Sequence, residues 1–224
     1  PKYPDQLISL NSVNGNKNTT NSYFARAQYK LMNRYLLTAT IRRDGSSQFA
    51  DGQKWGNFPS FGAGWVVSQE SFMQDSSVFN LLKLRAGWGR LGNQNIPLNY
   101  LPFATGTNYN YAFGGNAISN GITLDKIYDP NLSWEVTEES SAGVDFEMVN
   151  RKLRGSVDVY NKVTKNIILE LIPPLTSGIS QNGLAHLGEV TNKGIEVALS
   201  WDDKINENWS YNLSGNYSHN KNNL

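Results

Sequence analysis

Eight stretches of this chain alternate apolar and polar residues with a period of two, and the connections between them are alternately short and long. In WSYNLSGNYS, Trp209, Tyr211, Leu213, Gly215 and Tyr217 fall on one side, while Asn208, Ser210, Asn212, Ser214, Asn216 and Ser218 fall on the other. Successive side chains of a strand point to opposite faces, so such a segment has one apolar and one polar surface. RYLLTATIRR sets Tyr35, Leu37, Ala39 and Ile41 against Leu36, Thr38, Thr40 and Arg42, and AGVDFEMV and GIEVALSW alternate likewise. The pattern predicts strands near 23–32, 34–43, 58–68, 80–90, 136–149, 153–163, 191–202 and 208–219. No segment carries a convincing helical period, although SQESFMQDSSVFNLL has room for a short helical turn.

The connections at Asn33, 69–79, 150–152 and 203–207 are short or moderate, whereas those at 44–57, 91–135 and 164–190 are long. Transmembrane β-barrels have this asymmetry, with tight periplasmic turns at one rim and extended extracellular loops at the other. Trp209 and Tyr217 lie eight residues apart on one face. At about 3.3 Å per residue and a tilt of about 40°, they stand roughly 20 Å apart along the membrane normal, near the ~25 Å apolar band between aromatic girdles. A soluble β-sandwich also alternates, and the pattern alone leaves that alternative open.

Composition removes several classes. Lys plus Arg number 20 against 19 Asp plus Glu, a balance that favours neither nucleic acid nor an acidic partner. There is no cysteine, hence no disulfide framework and no thiolate metal site. No run of about 18 apolar residues exists to make a spanning helix. The 11 Tyr, 9 Phe and 6 Trp, among many Asn, Ser and Gly, suit β-structure with large loops.

Motifs that point elsewhere lack their context. GWGRLG, Gly87 to Gly92, has the spacing of a dinucleotide fingerprint, but Pro97 and no helix follow; its glycines read as ending a strand or admitting aromatic neighbours. Asp44-Gly45-Ser46 and Asp51-Gly52 suggest a calcium loop. Position twelve counted from Asp44 is Trp55 rather than Glu, so both pairs read as turn chemistry. The two histidines, His186 and His219, form no catalytic motif, and the adjacent Glu138 and Glu139 fit a solvated rim. Asp145, Glu147, Asp158 and Glu196 are expected to face a wet lumen. NIILELIPPL is broken by Pro173 and Pro174 and reads as a short strand or loop edge. In 91–135, Tyr109, Tyr111 and Phe113 are the candidate ligand contacts, because aromatic faces beside amide side chains suit sugars or peptides and binding residues concentrate on loops. No catalytic, cofactor or metal residue is assigned.

RYLLTATIRRDGSSQF, GNFPSFGAGWVVSQESF, LLKLRAGWGRLGN, DPNLSWEVTEESSAGVDFEM, LRGSVDVYNKVTKNII and LGEVTNKGIEVALSW follow one another across most of residues 23–220. In this order they resemble the SusC/RagA-like family of TonB-dependent outer-membrane transporters, typical of Bacteroidetes. Where that family more often has Asn, this chain has His186. The resemblance implies an all-β, antiparallel transmembrane barrel wall, about eight strands of a barrel of about 22. It also implies a plug, uptake of oligosaccharides or peptides driven through TonB, and a SusD-like surface lipoprotein as lid. Nothing in the chain resembles the plug or an aromatic-ended final strand, so residues 1–224 are expected to be part of the barrel domain. The expected function is transport without bond-making chemistry, in contact with the lipid bilayer and without cofactor or nucleic acid. Two other classes compete with it: a soluble, secreted, carbohydrate-binding β-sandwich, and a surface hydrolase with a convergent acidic pair. In the opening-strand region, Arg42 is expected to close a strand and DGSSQFADGQKWGN to form a crossover. FPSFGAGWVV would then return with Phe61, Ala63, Trp65 and Val67 facing lipid.

Overall fold

The computed structural model describes residues 17–73, 76–94, 96–97, 106–112, 118–124, 129–179 and 182–224. Eight long strands follow the alternating segments: β1 (Thr20–Leu31), β2 (Tyr35–Ser46), β3 (Trp55–Val66), β4 (Phe79–Asn93), β7 (Glu135–Met148), β8 (Leu153–Lys165), β11 (Val190–Asn206) and β12 (Trp209–Asn223). They form one antiparallel sheet in the order β1-β2-β3-β4-β7-β8-β11-β12. The two longest connections each carry a hairpin of their own, β5 (Gly106–Ala112) with β6 (Ile118–Leu124), and β9 (Ile168–Leu171) with β10 (Gly183–His186).

Pairing register shows why the alternation matters. Leu31, Tyr35, Trp65, Leu84, Val144, Val157, Val197 and Tyr217 stand opposite one another, strand after strand, in a single apolar row. The next row, one residue along, reads Lys30, Leu36, Gly64, Arg85, Gly143, Asp158, Glu196 and Ser218. A one-residue slip would exchange the two faces, so the sequence pattern holds the register of every pair. The apolar face is uncovered: Phe61 is 57% exposed, Leu37 52% and Tyr217 63%. A sandwich needs a second sheet over such a face; here all eight long strands lie in one sheet, so the sandwich expectation fails. Aromatic residues gather near the two ends of the outward face. Tyr23, Phe61, Trp88 and Tyr217 lie toward the long-loop rim, and Tyr35, Trp65, Trp201 and Tyr211 toward the short-turn rim.

Short turns close the lower rim. Met32 and Asn33 both take left-handed φ (52° and 58°), and the Arg34 N–H donates to Leu31 O at 3.0 Å, a turn whose twist matches that of the flanking strands. After β3 the chain makes two short 3-10 turns, Val67–Gln69 and Ser71–Met73, in the segment expected to hold a helical turn. Val67 is therefore buried in a turn and does not continue the lipid-facing side of β3. These turns place Glu70 under the β1–β2 turn. Its carboxylate accepts from Tyr35 Oη at 2.7 Å, Arg34 Nη1 at 2.9 Å and Trp65 Nε1 at 3.0 Å.

Donation from Trp65, then from Tyr35, together with attraction to Arg34, holds the Glu70 carboxyl below its ordinary 4.5 against the opposing effect of burial. A lowered folded-state pKa stabilises the fold above the unfolded value, and that contribution is lost as pH falls through the lowered one. Wild type should therefore lose thermal stability relative to Glu70→Gln as pH drops below about 4.5. Parallel melting curves for the two proteins down to strongly acid pH would contradict this.

Two sequence expectations about Asp-Gly pairs part here. Asp51-Gly52 is a turn, with Gly52 at φ +88°. Asp44-Gly45 is not: β2 continues to Ser46, past Arg42, and Gly45 pairs with Trp55. A Cβ on Gly45 would come within 2.8 Å of the Trp55 ring, so this glycine is required by a cross-strand aromatic and not by a turn. The crossover is accordingly shorter than expected, residues 47–54.

Candidate functional site: the extracellular rim and the inward face

Among the described residues, most of the buried apolar side chains gather at the long-loop rim. Phe49, Phe58, Ile96, Leu132, Trp134 and Ile168 pack together, with Leu184 against them. The pairing of β3 with β4 stops at Ser60 and Gly89. Beyond it the Phe58 ring lies against Gly92, where any Cβ would overlap it, and meets Trp134 edge-on at 5.6 Å between centroids. Gly92 is the last glycine of GWGRLG, and all three glycines lie within β4, so the motif admits aromatic packing and opens no helix.

Polar groups tie the roots of the three loops to this cluster. Trp134 Nε1 donates to Lys54 O at 3.1 Å, and Gln48 Nε2 donates to Ile96 O at 3.4 Å and Pro97 O at 3.3 Å. Glu135, 6% exposed, accepts from Asn93 Nδ2 at 2.7 Å and from the Ile168 N–H at 2.8 Å. His186 bridges two roots as well. Its Nδ1 lies 2.8 Å from Asn166 O and must donate there, since a carbonyl only accepts; its Nε2 accepts the Ser133 N–H at 3.0 Å. An Asn side chain has the same pairing of one donor with one acceptor.

Below the rim the inward face is a ladder of charges. Arg85 donates to Asp145 through Nε and Nη2, both at 2.8 Å, and its Nη2 also reaches Asp158 at 2.9 Å, with Lys83 Nζ 3.7 Å from Asp145. Gly143 lies between them because a Cβ there would collide with the Asp158 carboxylate. The expectation that Asp145, Glu147, Asp158 and Glu196 share the polar face holds in the register. Arg85 is 37% exposed, so water screens these pairs and each contributes no more than about 1 kcal/mol. Their chemical capacity is hydrogen bonding along a wet wall. Glu138 and Glu139, as neighbours in β7, point to opposite faces, and Glu138 pairs with Arg90 at 2.5 Å; they do not converge as a hydrolase would require. Among the described residues no group of three or more His, Cys, Asp or Glu side chains is placed to hold a metal.

Of the candidate ligand contacts, Tyr109 and Tyr111 are alternate residues of β5, opposite Gly121 and Ser119 of β6. Phe113 lies outside the described residues. Sequence reasoning did not find Gln48, Trp134 or Glu135 as organisers of the rim. The available signal was Trp134 immediately before a strand start, in DPNLSWEV.

A family model described as TonB dependent receptor-like, beta-barrel matches residues 1–224. The chain belongs to this family. The receptor barrel is 35% identical over 224 residues to TonB-dependent receptor SusC of Bacteroides thetaiotaomicron, covering 98% of this chain and 22% of that protein. It is 36% identical over 228 residues to TonB-dependent receptor P39 of Formosa agariphila, covering 97% of this chain and 21% of that one. Its structure superposes on the RagAB peptide importer in the "open-open" state with a TM-score of 0.79, at 26% identity, covering 92% of this chain and 22% of that one. The chain thus spans about a fifth of the length of the curated relatives it matches. It is a SusC/RagA-type β-barrel segment of the outer membrane, and the relatives named are receptors or transporters, not enzymes. With that location, the uncovered apolar rows face lipid and the Arg85 ladder faces the lumen.

Proposed function

We propose that this chain forms wall and loop structure of an importer of large nutrients, oligosaccharides or peptides, energised through TonB and lidded by a SusD-like surface lipoprotein. The observation that carries this reading is the division of labour in the sheet. A rigid two-faced wall ends in a packed rim that fixes the roots of three long loops, and loops positioned by a rigid scaffold are where binding residues concentrate. Likeness to SusC and to the RagAB peptide importer supports the same reading. The wall itself makes and breaks no bonds. In this reading residues 1–224 work within a longer barrel, and Tyr109, Tyr111 and Phe113 contact the ligand.

The test is ligand binding and uptake by the full-length transporter carrying Tyr109→Ala together with Tyr111→Ala. Aromatic anchors at an interface are each worth about 1–2 kcal/mol, so affinity for the transported oligosaccharide or peptide should fall at least about tenfold at unchanged surface abundance. Unaltered affinity would remove these tyrosines from the site. Failure of any oligosaccharide or peptide to enter through the wild-type protein would remove the importer reading itself.

A further inference from the structure

The outward face is not uniform. Across β1 to β4 it is floored by small side chains: Ala27 opposite Ala39, and Ala63 opposite Ala86. Around them stand Tyr29, Leu37, Phe61 and Trp88, with the last two rings stacked at 6.1 Å. The result is a depression of about 760 Å³, a volume within the range of small-molecule sites.

Two arginines stand above it. Arg43 is four residues along β2 from Ala39, and Arg90 four residues along β4 from Ala86, both toward the extracellular rim. Four residues span about 13 Å, or about 10 Å along the membrane normal at a strand tilt of about 40°. Each guanidinium is held over an indole, Arg43 at 5.1 Å from the Trp55 centroid and Arg90 at 5.7 Å from that of Trp88. Arg43 meets no carboxylate among the described residues. The charge at this end is one-sided: outward positions of the long strands carry Arg43, Arg90, Lys165, Lys193 and Lys221 against Glu138 alone. The Glu138 carboxylate pairs with Arg90 and lies 3.9 Å from Lys165, so that among the described residues Arg43 is the unpaired guanidinium of the two and Arg90 meets a phosphate with its charge partly offset. Toward the periplasmic end the charged outward residue is Asp203, paired with Lys152 at 2.8 Å.

We propose that this depression and the two arginines form a seat for one phosphorylated lipid of the outer leaflet, with an acyl chain over the alanines and a phosphate between Arg43 and Arg90. Guanidinium groups suit this role because their forked donors match phosphate oxygens and their planes remain stacked on aromatic rings. The alanine floor lets a chain lie closer to the barrel than Leu or Val would allow. The inference depends on the outward face meeting lipid, not on what the transporter imports.

Native mass spectrometry of the purified full-length protein tests it, with lipid A and the same lipid A stripped of its phosphates as probes. The wild type should retain one lipid A per barrel and bind the dephosphorylated form about tenfold more weakly. Arg43→Gln with Arg90→Gln should lose a similar factor, and Ala63→Phe should weaken both probes by filling the floor. Lys193→Gln with Lys221→Gln, remote from the depression, should leave retention unchanged. Because Ala63→Phe risks misfolding, the exposed arginine pair decides the outcome on its own. Equal binding of the two probes, or undiminished binding by the double arginine variant, would overturn the proposal. So would occupation of this face by a second barrel in place of lipid.

Discussion

Trp134→Ala is expected to destabilise the extracellular rim by about 3–5 kcal/mol, the range for removing a large buried aromatic. The side chain is 8% exposed and touches Phe49 at 5.3 Å and Phe58 at 5.6 Å between ring centroids, so its loss opens a cavity within the cluster. It also removes the donor to Lys54 O, leaving a carbonyl without that partner. The strands below are held by their own ladders and should remain paired. The effect should therefore be local. Amide exchange and protease cleavage should accelerate in 47–54 and 166–187, while the full-length barrel keeps its heat-resistant mobility in detergent gels. Trp134→Phe should preserve much of the packing and lose the hydrogen bond alone. Unchanged protection of these loop roots in Trp134→Ala would show that the cluster does not anchor them.

Val144→Arg should be almost as costly, for a different reason. Val144 lies between Leu84 and Val157 in the outward apolar row, four residues from the short-turn end of β7 at Met148 and nine from its loop end at Glu135. A charge on the lipid face near the bilayer midplane costs about 2–4 kcal/mol. Ser156→Arg, on the inward face opposite Asp145, should change stability by no more than about 0.5 kcal/mol. Urea unfolding of the full-length protein in phospholipid vesicles would measure both. Equal costs would mean that the two faces of this wall are not lipid and water.

Much of this division was legible before any coordinates. All eight long strands lie where period-two alternation placed them, and their inner ends extend farther toward the loops than expected. β2 runs to Ser46 where Arg42 was expected to close it, because Asp44-Gly45 resembles a turn signal and only pairing with Trp55 shows otherwise. Val67 continued the alternation of β3 on paper, but the chain turns under the wall to deliver Glu70 to Arg34 and Tyr35. Of the two loop hairpins, β9 was visible as a short strand in NIILELIPPL. The strand pairs β5–β6 and β9–β10 were not, since four to seven residues carry too little periodicity to stand out.

The rim was the least legible part. Phe49, Ile96, Trp134 and Ile168 belong to three separate connections, and nothing local to any of them indicates that they meet. The same holds for the alanine-floored depression, whose residues come from four strands. Alternation along a strand is a local property, because each side chain's face follows from its neighbours' geometry, so the sequence by itself determined which residues within each long strand share the apolar face and which share the polar one. Which residue stands opposite which, and where the loops are tied, was decided by the tertiary structure alone. Those contacts join positions far apart in the chain, and only the register of the whole sheet brings them together.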